Sequence, residues 1–331
     1  MRKKYSSQTV LVTGASGFIA LQCILQLLEQ GYQVRGTLRT RSHEKHLRQI
    51  LMQHVDIDNN LEFVIADLLK DDGWKEAVTG CEFVLHTASP FPSESPKSEN
   101  DLLIPARDGS RRVLQASASN GVQRVVMTSS STAIVKGHGD YNKTFDESDW
   151  SNLDGDIGAY AKSKTLAERA AWDFVNKQDT DHLTELAVII PGLVLGPLLD
   201  GENYGTSAKI IQDILLGKNR GDYRNRIELV DVRDVASAHL SSMTNPLAAG
   251  KRYCCVADVL ERQEVINILD QHFSGRGYKI LTQEPPDSTD ELGSLFNISN
   301  KRIIQELGWQ PHSAEEAVVA MGESLIQYGI V

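Results

Sequence analysis

A strand, a glycine turn and a helix are predicted by residues 9–20, which read TVLVTGASGFIA. The apolar run Thr9–Thr13 predicts a buried strand. Gly14 and Gly17 suit a tight turn, and Ala20 stands where a third glycine often serves close helix–strand packing. The helix is predicted from apolar residues that share one face of a 3.6-residue period, namely Leu21, Ile24, Leu25 and Leu28.

This order of elements favours binding of a dinucleotide. Backbone N–H groups at a helix N-terminus can meet a pyrophosphate, and the helix dipole adds to the attraction. A glycine pair alone could serve any tight turn. Its position directly after a strand and before an amphipathic helix is the context that supports the cofactor interpretation.

The residues that end the second predicted strand indicate NADP(H). NAD enzymes place an acidic residue about 20 residues beyond the glycines to hold the ribose hydroxyls. Residues 34–41 contain no carboxylate, whereas Arg39 stands at the strand end with Arg41 close by. A guanidinium can bind a 2′-phosphate through paired hydrogen bonds. The alternative is a solvated basic turn, and the distance from the glycines favours the phosphate.

Strands and helices alternate through the first 195 residues, which predicts a doubly wound α/β fold with a parallel sheet. We expect residues 1–195 to form a Rossmann-type dinucleotide-binding domain. Residues 196–331 should mainly form a smaller C-terminal substrate-binding lobe, with some later segments returning to the first domain. The further predicted strands are 32–38, 61–65, 82–85, 122–128 and 186–190, and the predicted helices are roughly 43–54, 71–79, 100–119, 158–177, 300–307 and 313–328.

Tyr160 and Lys164 are four residues apart and should project from one face of a predicted helix. Most Tyr–Lys pairs of this spacing are solvated surface contacts. Residues 125–130, VVMTSS, set this pair apart, because they end the fifth predicted strand and bring hydroxyl groups to its carboxyl end. Doubly wound sheets bind their ligands at that end. Ser130, Tyr160 and Lys164 are therefore the candidate catalytic residues.

The chain resembles the extended short-chain dehydrogenase/reductase family in its glycine turn, in Ser130 and in the Tyr160–Lys164 pair. More narrowly, it resembles the dihydroflavonol 4-reductase and cinnamyl-type aldehyde and ketone reductase branch. The resemblance covers nearly the whole chain, and its motifs are jointly specific although each is weak alone. The supporting runs are Asp67-Leu68, HTASP at 86–90, DESDWS at 146–151, PGLVLGP at 191–197, VDVRDV at 230–235 and ELGW at 306–309.

The resemblance implies NADPH-dependent, reversible reduction of an aldehyde or ketone carbonyl to an alcohol. It implies that Ser130 hydrogen-bonds the substrate oxygen, that Tyr160 is the general acid, and that Lys164 supports the phenol and holds the nicotinamide ribose. The implied cofactor contacts are Gly14, Ser16, Gly17, Phe18 and Ile19 at the pyrophosphate, Arg39 at the 2′-phosphate, Asp67 and Leu68 at the adenine, Thr87 and Ala88 along the cofactor, and Pro191, Leu193, Val194 and Ser207 beside the nicotinamide, in addition to Tyr160 and Lys164.

Two other functions are possible on the same scaffold. Sugar-nucleotide epimerases and dehydratases usually follow the serine with Val-Tyr-Gly and keep an acidic residue on the second strand. Here the residues at 133–136 read AIVK, and Arg39 replaces the acid. Non-enzymatic dinucleotide sensors often lack the Tyr–Lys pair, which this chain has.

The chain departs from the reductase pattern at two places. Residues 135–140, VKGHGD, contain no recognised flavonoid contact, and the basic residue expected early in the second helix could be Lys45 or His46.

The bulk composition narrows the partners. The chain has 331 residues, 41% of them hydrophobic, and a formal net charge of −10, so nucleic acid and anionic membranes are poor partners. No targeting segment or membrane span is recognised. Four cysteines without metal or disulfide spacing indicate reduced thiols in a cytoplasmic protein, and no metal site is expected. We expect a small-molecule carbonyl or alcohol substrate and a monomer or homodimer.

Overall fold

The computed structural model describes residues 7–57, 59–89, 98–138, 142–178, 183–202, 204–218, 225–282 and 296–331. Within them lie twelve strands and ten α-helices. The strands are β1 (Thr9–Val12), β2 (Gln33–Leu38), β3 (Leu61–Ile65), β4 (Phe83–His86), β5 (Arg124–Thr128), β6 (Thr144–Phe145), β7 (Glu185–Pro191), β8 (Leu193–Leu195), β9 (Arg226–Asp231), β10 (Lys251–Cys255), β11 (Asp258–Glu261) and β12 (Asn297–Ile298). The helices are α1 (Phe18–Gln30), α2 (Glu44–Met52), α3 (Trp74–Val78), α4 (Asn100–Ser119), α5 (Gly158–Val175), α6 (Gly205–Leu215), α7 (Val232–Thr244), α8 (Arg262–Phe273), α9 (Lys301–Leu307) and α10 (Ala314–Gln327).

Seven strands form a parallel sheet in the order β10-β7-β5-β4-β1-β2-β3. The chain starts in the middle at β1, runs outward through β2 and β3, and then returns to β4 on the other side of β1. The strand order therefore reverses between β1 and β4, where doubly wound sheets open a crevice for a ligand. The predicted α/β, Rossmann-type fold is confirmed.

Helices cover both faces of this sheet, because strands buried on both sides expose apolar side chains in both directions. Val10 and Val12 belong to the core shared with α1, α2 and α7, whereas Leu11 belongs to the core shared with α3, α4 and α5. Cys255 and Cys254 divide between the same two cores, as expected of neighbours on a strand.

A third core lies under the three-stranded sheet β11-β9-β8, and it is formed mainly with α6, α8 and α10. Two later segments return to the large sheet: α7 packs against α1, and β10 pairs with β7. The division of the chain at residue 195 stays a prediction. Among the described residues, no helix is both long and apolar enough to cross a membrane.

The predicted boundaries differ from the structure by a few residues at several ends. β1 ends at Val12 and not at Thr13, although the Thr13 N–H still donates to the Leu85 carbonyl at 3.0 Å. The predicted helix 71–79 is limited to Trp74–Val78, since Gly73 precedes it with a φ of +85° that a helix does not adopt. Among the sequence runs quoted above, Pro90, Gly139 and Asp140 lie outside the described residues.

Candidate active site

The carboxyl ends of the parallel strands meet at one edge of the large sheet. β1 leads towards Gly14, β4 into Thr87 and β5 towards Ser130, and β7 ends at Pro191. Because the strands are parallel and adjacent, motifs that are far apart in the sequence lie along the same edge. The structure thus places Gly14, Thr87, Ser130 and Pro191 along this edge of the sheet.

The glycine turn at this edge has no room for side chains. Gly14 has a φ of +68°, and a Cβ there would lie 3.0 Å from the Cβ of Ala88. Its N–H donates to Oγ1 of Thr37 at 2.9 Å, while the N–H of Gly17 donates to the Gly14 carbonyl at 2.9 Å. No side chain caps the first turn of α1, so its N–H groups can bind an anion. Ser16, Phe18 and Ile19 are half-buried around the turn. This geometry fits a bound pyrophosphate.

The residues predicted for the adenosine end follow two neighbouring strands, β2 and β3. Arg39 follows β2, its side chain is exposed, and it forms no hydrogen bond or ion pair with the described residues. Asp67 follows β3, and its carboxylate accepts the Leu69 N–H at 3.0 Å. Leu68 packs against α4 at Gly109, where a Cβ added to the glycine would lie 2.8 Å from the Cβ of Leu68. An exposed guanidinium without an acidic partner is what a 2′-phosphate requires.

A buried hydrogen-bond chain supports the turn from below. Ala88 N–H donates to Thr13 Oγ1 at 3.0 Å, and Thr13 Oγ1 lies 2.9 Å from Nδ1 of His86. Nε2 of His86 lies 3.1 Å from Ser110 Oγ, which donates to the Ala106 carbonyl at 2.8 Å. Because the Ser110 proton is committed, His86 Nε2–H must donate to Ser110, and Nδ1 accepts from Thr13. The hydrogen bonds therefore run from Thr13 through His86 to Ser110, and they fix His86 as the neutral tautomer that is protonated on Nε2.

The elements that carry the three predicted catalytic residues pack together, because α5 contacts the short helical turn Ser131–Ala133 that follows Ser130. Ser130 is buried, and its Oγ accepts hydrogen bonds from Thr132 N–H at 3.3 Å and from Thr132 Oγ1 at 3.0 Å. Its own O–H is therefore left to donate to a substrate oxygen. On α5, the ammonium of Lys164 lies 5.8 Å from the ring centroid of Tyr160. Burial, followed by the charge of Lys164, lowers the pKa of His86 to about 3, so Lys164 stands near the end of β4.

The residues predicted to border the nicotinamide come from two neighbouring segments. Pro191 ends β7, and Leu193 and Val194 form β8 directly after it. Gly192 between them has no room for a side chain, since a Cβ would lie 2.4 Å from the Glu228 carbonyl oxygen. Ser207 stands in the first turn of α6 and is half-buried. Its contact with the cofactor stays a prediction, as do the individual roles of all site residues.

Several polar side chains that support the site have no role predicted from the sequence. Thr37 holds the glycine turn, His86 orients Thr13, and Glu168 lies behind Ser129. The available signal for Glu168 was its spacing of four residues from Lys164, which repeats the spacing from Tyr160 to Lys164. Its partner Arg252 is 84 positions away in the sequence and carries no local signal.

Two groups of acidic and histidine side chains, and one groove, lie away from these residues. His46 meets Asp200 and Glu202, and His312 meets Asp231 and Asp234. In the second group the carboxylates already accept from Arg233 and His312, which accounts for their proximity without an ion. An open groove of about 850 Å³ lies between the outer surfaces of α4 and α5 and contains none of the predicted site residues.

The fold and this arrangement define an extended short-chain dehydrogenase/reductase. The sequence profile of the NAD dependent epimerase/dehydratase family matches residues 10–256. The chain belongs to that family.

Its relatives include named reductases. The chain is 35% identical over 334 residues to cinnamoyl-CoA reductase 1 of Petunia hybrida, covering 99% of this chain and 95% of that protein. It is 31% identical to Gre2 of Candida albicans, solved in complex with NADPH, with a TM-score of 0.84 over 97% of this chain and 99% of that one. It is 28% identical to yeast methylglyoxal/isovaleraldehyde reductase Gre2, also solved with NADPH, with a TM-score of 0.84 over 98% of this chain and all of that one.

Proposed function

We propose that this chain is an NADPH-dependent reductase that converts an aldehyde or ketone carbonyl to an alcohol, in a reversible reaction. The observation that carries the proposal is the state of Ser130. Its oxygen accepts twice from Thr132, so its proton is free to donate, and the helix that carries Tyr160 and Lys164 packs against the turn that follows Ser130. A reaction that develops negative charge on an oxygen needs such a donor.

The glycine turn and the residues around it would hold the cofactor. The first turn of α1 would bind the pyrophosphate, Arg39 the 2′-phosphate, and Asp67 with Leu68 the adenine side. When bound, NADPH supplies the hydride. The preference for NADPH follows from Arg39, which is exposed and without an acidic partner among the described residues.

The protein's own contribution is to bind and protonate the carbonyl oxygen. Ser130 O–H donates a hydrogen bond to this oxygen and stabilises the negative charge as it forms. Tyr160 O–H transfers its proton to the same oxygen and completes the alcohol. Lys164 is buried on the same face of α5, so its ammonium stabilises the phenolate that remains.

Two alternatives have less support. Sugar-nucleotide epimerases and dehydratases share the scaffold, but this chain has Arg39 where they carry an acid, and the named activities among the relatives above are reductions. A dinucleotide sensor without activity has no use for a serine with a free donor beside a Tyr–Lys pair. Both alternatives predict no net consumption of NADPH with simple carbonyl compounds.

The substrate class proposed is small aldehydes and ketones, in line with the methylglyoxal and isovaleraldehyde for which the similar yeast reductase is named. A monomeric or homodimeric state stays a prediction. We also propose a cytoplasmic location, supported by four cysteines that are all buried and free.

Steady-state assays test the reaction. A panel of aliphatic aldehydes, aromatic aldehydes and β-keto esters is incubated with NADPH, and absorbance of the reduced nicotinamide is followed. Tyr160→Phe keeps the ring but deletes the transferable proton, and Ser130→Ala deletes the donor; each should lower kcat at least about a hundredfold while NADPH still binds. Lys164→Ala should impair both turnover and NADPH binding. Tyr160→Phe with wild-type turnover would remove Tyr160 as the acid, and a wild type that oxidises no NADPH with any compound would overturn the proposal.

A further inference from the structure

Glu168 has a buried carboxylate that contacts Ser129, the residue before Ser130. Glu168 stands one turn after Lys164 on α5 and is completely buried. Its carboxylate accepts a hydrogen bond from Ser129 Oγ at 2.5 Å, from Arg252 Nε at 2.6 Å and from Trp172 Nε1 at 3.2 Å. One side chain therefore ties the end of β5 to the helix that carries Tyr160 and Lys164.

Arg252 extends this connection to a third element. From β10 it donates through one terminal nitrogen to the carbonyls of Glu147 and Asp149, both at 2.8 Å. Its guanidinium carbon lies 3.8 Å from the ring centroid of Trp150, so the fork is stacked on the indole. The side chain is nearly fully buried, and its donors are shared between α5 and the segment before residue 152.

That segment in turn holds the residues that follow Ser130. Ser151 N–H donates to the Ala133 carbonyl at 2.8 Å, and its Oγ donates to the Thr132 carbonyl at 2.8 Å. The same Oγ accepts from Lys136 N–H at 2.8 Å. Ser151 thus fastens the turn in which Thr132 orients the Ser130 hydroxyl.

These contacts form one continuous chain of hydrogen bonds and backbone that begins at the residue before Ser130 and ends at the turn after it. Ser129 donates to Glu168, which pairs with Arg252. Arg252 donates to the carbonyls of Glu147 and Asp149, and Ser151 of the same segment contacts the turn after Ser130. Both flanks of Ser130 are held, and one of them is held by the helix of Tyr160.

We propose that Glu168 and Arg252 are positioning residues for the reaction, setting the place of the Ser130 hydroxyl relative to Tyr160 and Lys164. The inference rests on the proposed function. A buried ion pair is weak support for stability, because desolvation offsets most of its attraction. Its value here is geometric, since a displacement of about 1 Å at a reacting group can cost on the order of a hundredfold in rate.

The sharpest test is Ser129→Ala. It removes one hydroxyl, and both the Glu168–Arg252 pair and the Ser129 backbone hydrogen bond to Ile189 at 2.7 Å remain possible. We expect kcat to fall about tenfold or more, whereas the Kd of NADPH changes less than about twofold. The matched control is Ser117→Ala on α4, which likewise removes a buried hydroxyl, but one that donates to the backbone carbonyl of Val113 at 2.8 Å. Its kcat should equal that of the wild type.

A kinetic isotope effect separates positioning from loss of folded protein. With NADPH deuterated at the transferred position, misplaced catalytic groups slow the chemical step, and the isotope effect on kcat rises in Ser129→Ala. A smaller folded fraction lowers the apparent kcat but leaves the isotope effect unchanged. Arg252→Lys provides a second variant, since an ammonium can still pair with Glu168 but cannot reproduce the fork to both carbonyls. It should show the same rise in the isotope effect.

The possible failures are distinguishable. An active wild type whose Ser129→Ala and Arg252→Lys variants keep its kcat and isotope effect overturns the positioning role and leaves the proposed function intact. Lower kcat at an unchanged isotope effect also overturns it, in favour of a purely structural role. A wild type without reductase activity overturns the proposed function itself.

Discussion

Acid should destabilise this protein through two histidines that are buried in the neutral form. Burial, with the charge of Lys164 as the second cause, lowers the pKa of His86 to about 3. Burial also lowers the pKa of His239 to about 4, although the hydrogen bond to the Val235 carbonyl opposes the shift. In the unfolded chain both rings take up a proton near pH 6.5. Their contribution to stability is complete above pH 6.5 and is lost as the pH falls towards the folded-state values.

The magnitude follows from the linkage relation. One pKa unit corresponds to about 1.4 kcal/mol, and at pH 5 the unfolded rings are almost fully protonated while the folded rings are almost fully neutral. Lowering the pH from 7 to 5 should therefore reduce the free energy of unfolding by about 2 kcal/mol for each histidine and by about 4 kcal/mol for both. Loss on this scale is a large part of the stability of an ordinary domain.

Urea unfolding at pH 7 and pH 5 measures this loss, and His239→Gln isolates one half of it. In the wild type, His239 Nε2 lies 2.7 Å from Thr128 Oγ1, and a glutamine oxygen can accept the same hydrogen bond without titrating. The variant should lose about 2 kcal/mol less than the wild type between the two pH values. Equal losses in both proteins would refute the assignment of a buried neutral histidine at this position.

Two further predictions concern the cofactor. Arg39→Ala should weaken NADPH binding at least about tenfold and leave NADH binding nearly unchanged, because the guanidinium is proposed to bind only the 2′-phosphate. Arg41→Ala, whose partner is Glu44, is the control. An equal loss for both cofactors in a fluorescence titration would contradict the assignment. Gly14→Ala should lower the thermal midpoint and weaken NADPH binding, because it combines left-handed φ with a close contact to Ala88. Gly80→Ala has a similar φ of +75° and open space around it, so it should show the backbone cost of about 1–2 kcal/mol alone and retain NADPH affinity.

Local signals in the sequence were sufficient for most of the large sheet. The glycine turn, the periodicity of α1 and the apolar runs of β1 to β5 are each set by neighbouring residues, and they predicted the fold correctly. The pairing of β10 beside β7 has no such local signal. Lys251–Cys255 begins with two basic residues, and its place in the sheet depends on partners about 65 residues earlier in the chain.

The residues that hold the site residues in place could not be predicted from the sequence for the same reason. Thr13, His86 and Ser110 form one hydrogen-bond chain only because β1, β4 and α4 lie together in the fold. A serine, a threonine and a histidine at such separations resemble any other polar residues. The residues that the sequence predicts for the site belong to short motifs, whereas the residues that hold them in place come from distant segments.

His86 and Glu168 both support the site, but His86 is neutral whereas Glu168 forms an ion pair with Arg252. The position of Lys164 explains this difference. His86 stands near Lys164, and a second cation there would repel the ammonium. The neutral tautomer that Ser110 and Thr13 fix together avoids this repulsion. One turn further along α5, Glu168 could cancel the charge of Lys164, but its carboxylate is already paired with Arg252. Among the described residues Lys164 has no carboxylate partner, so its positive charge remains for the phenol and the cofactor. Removing Arg252 would therefore release a buried carboxylate towards Lys164, and we expect it to damage turnover more than the loss of Ser129 does.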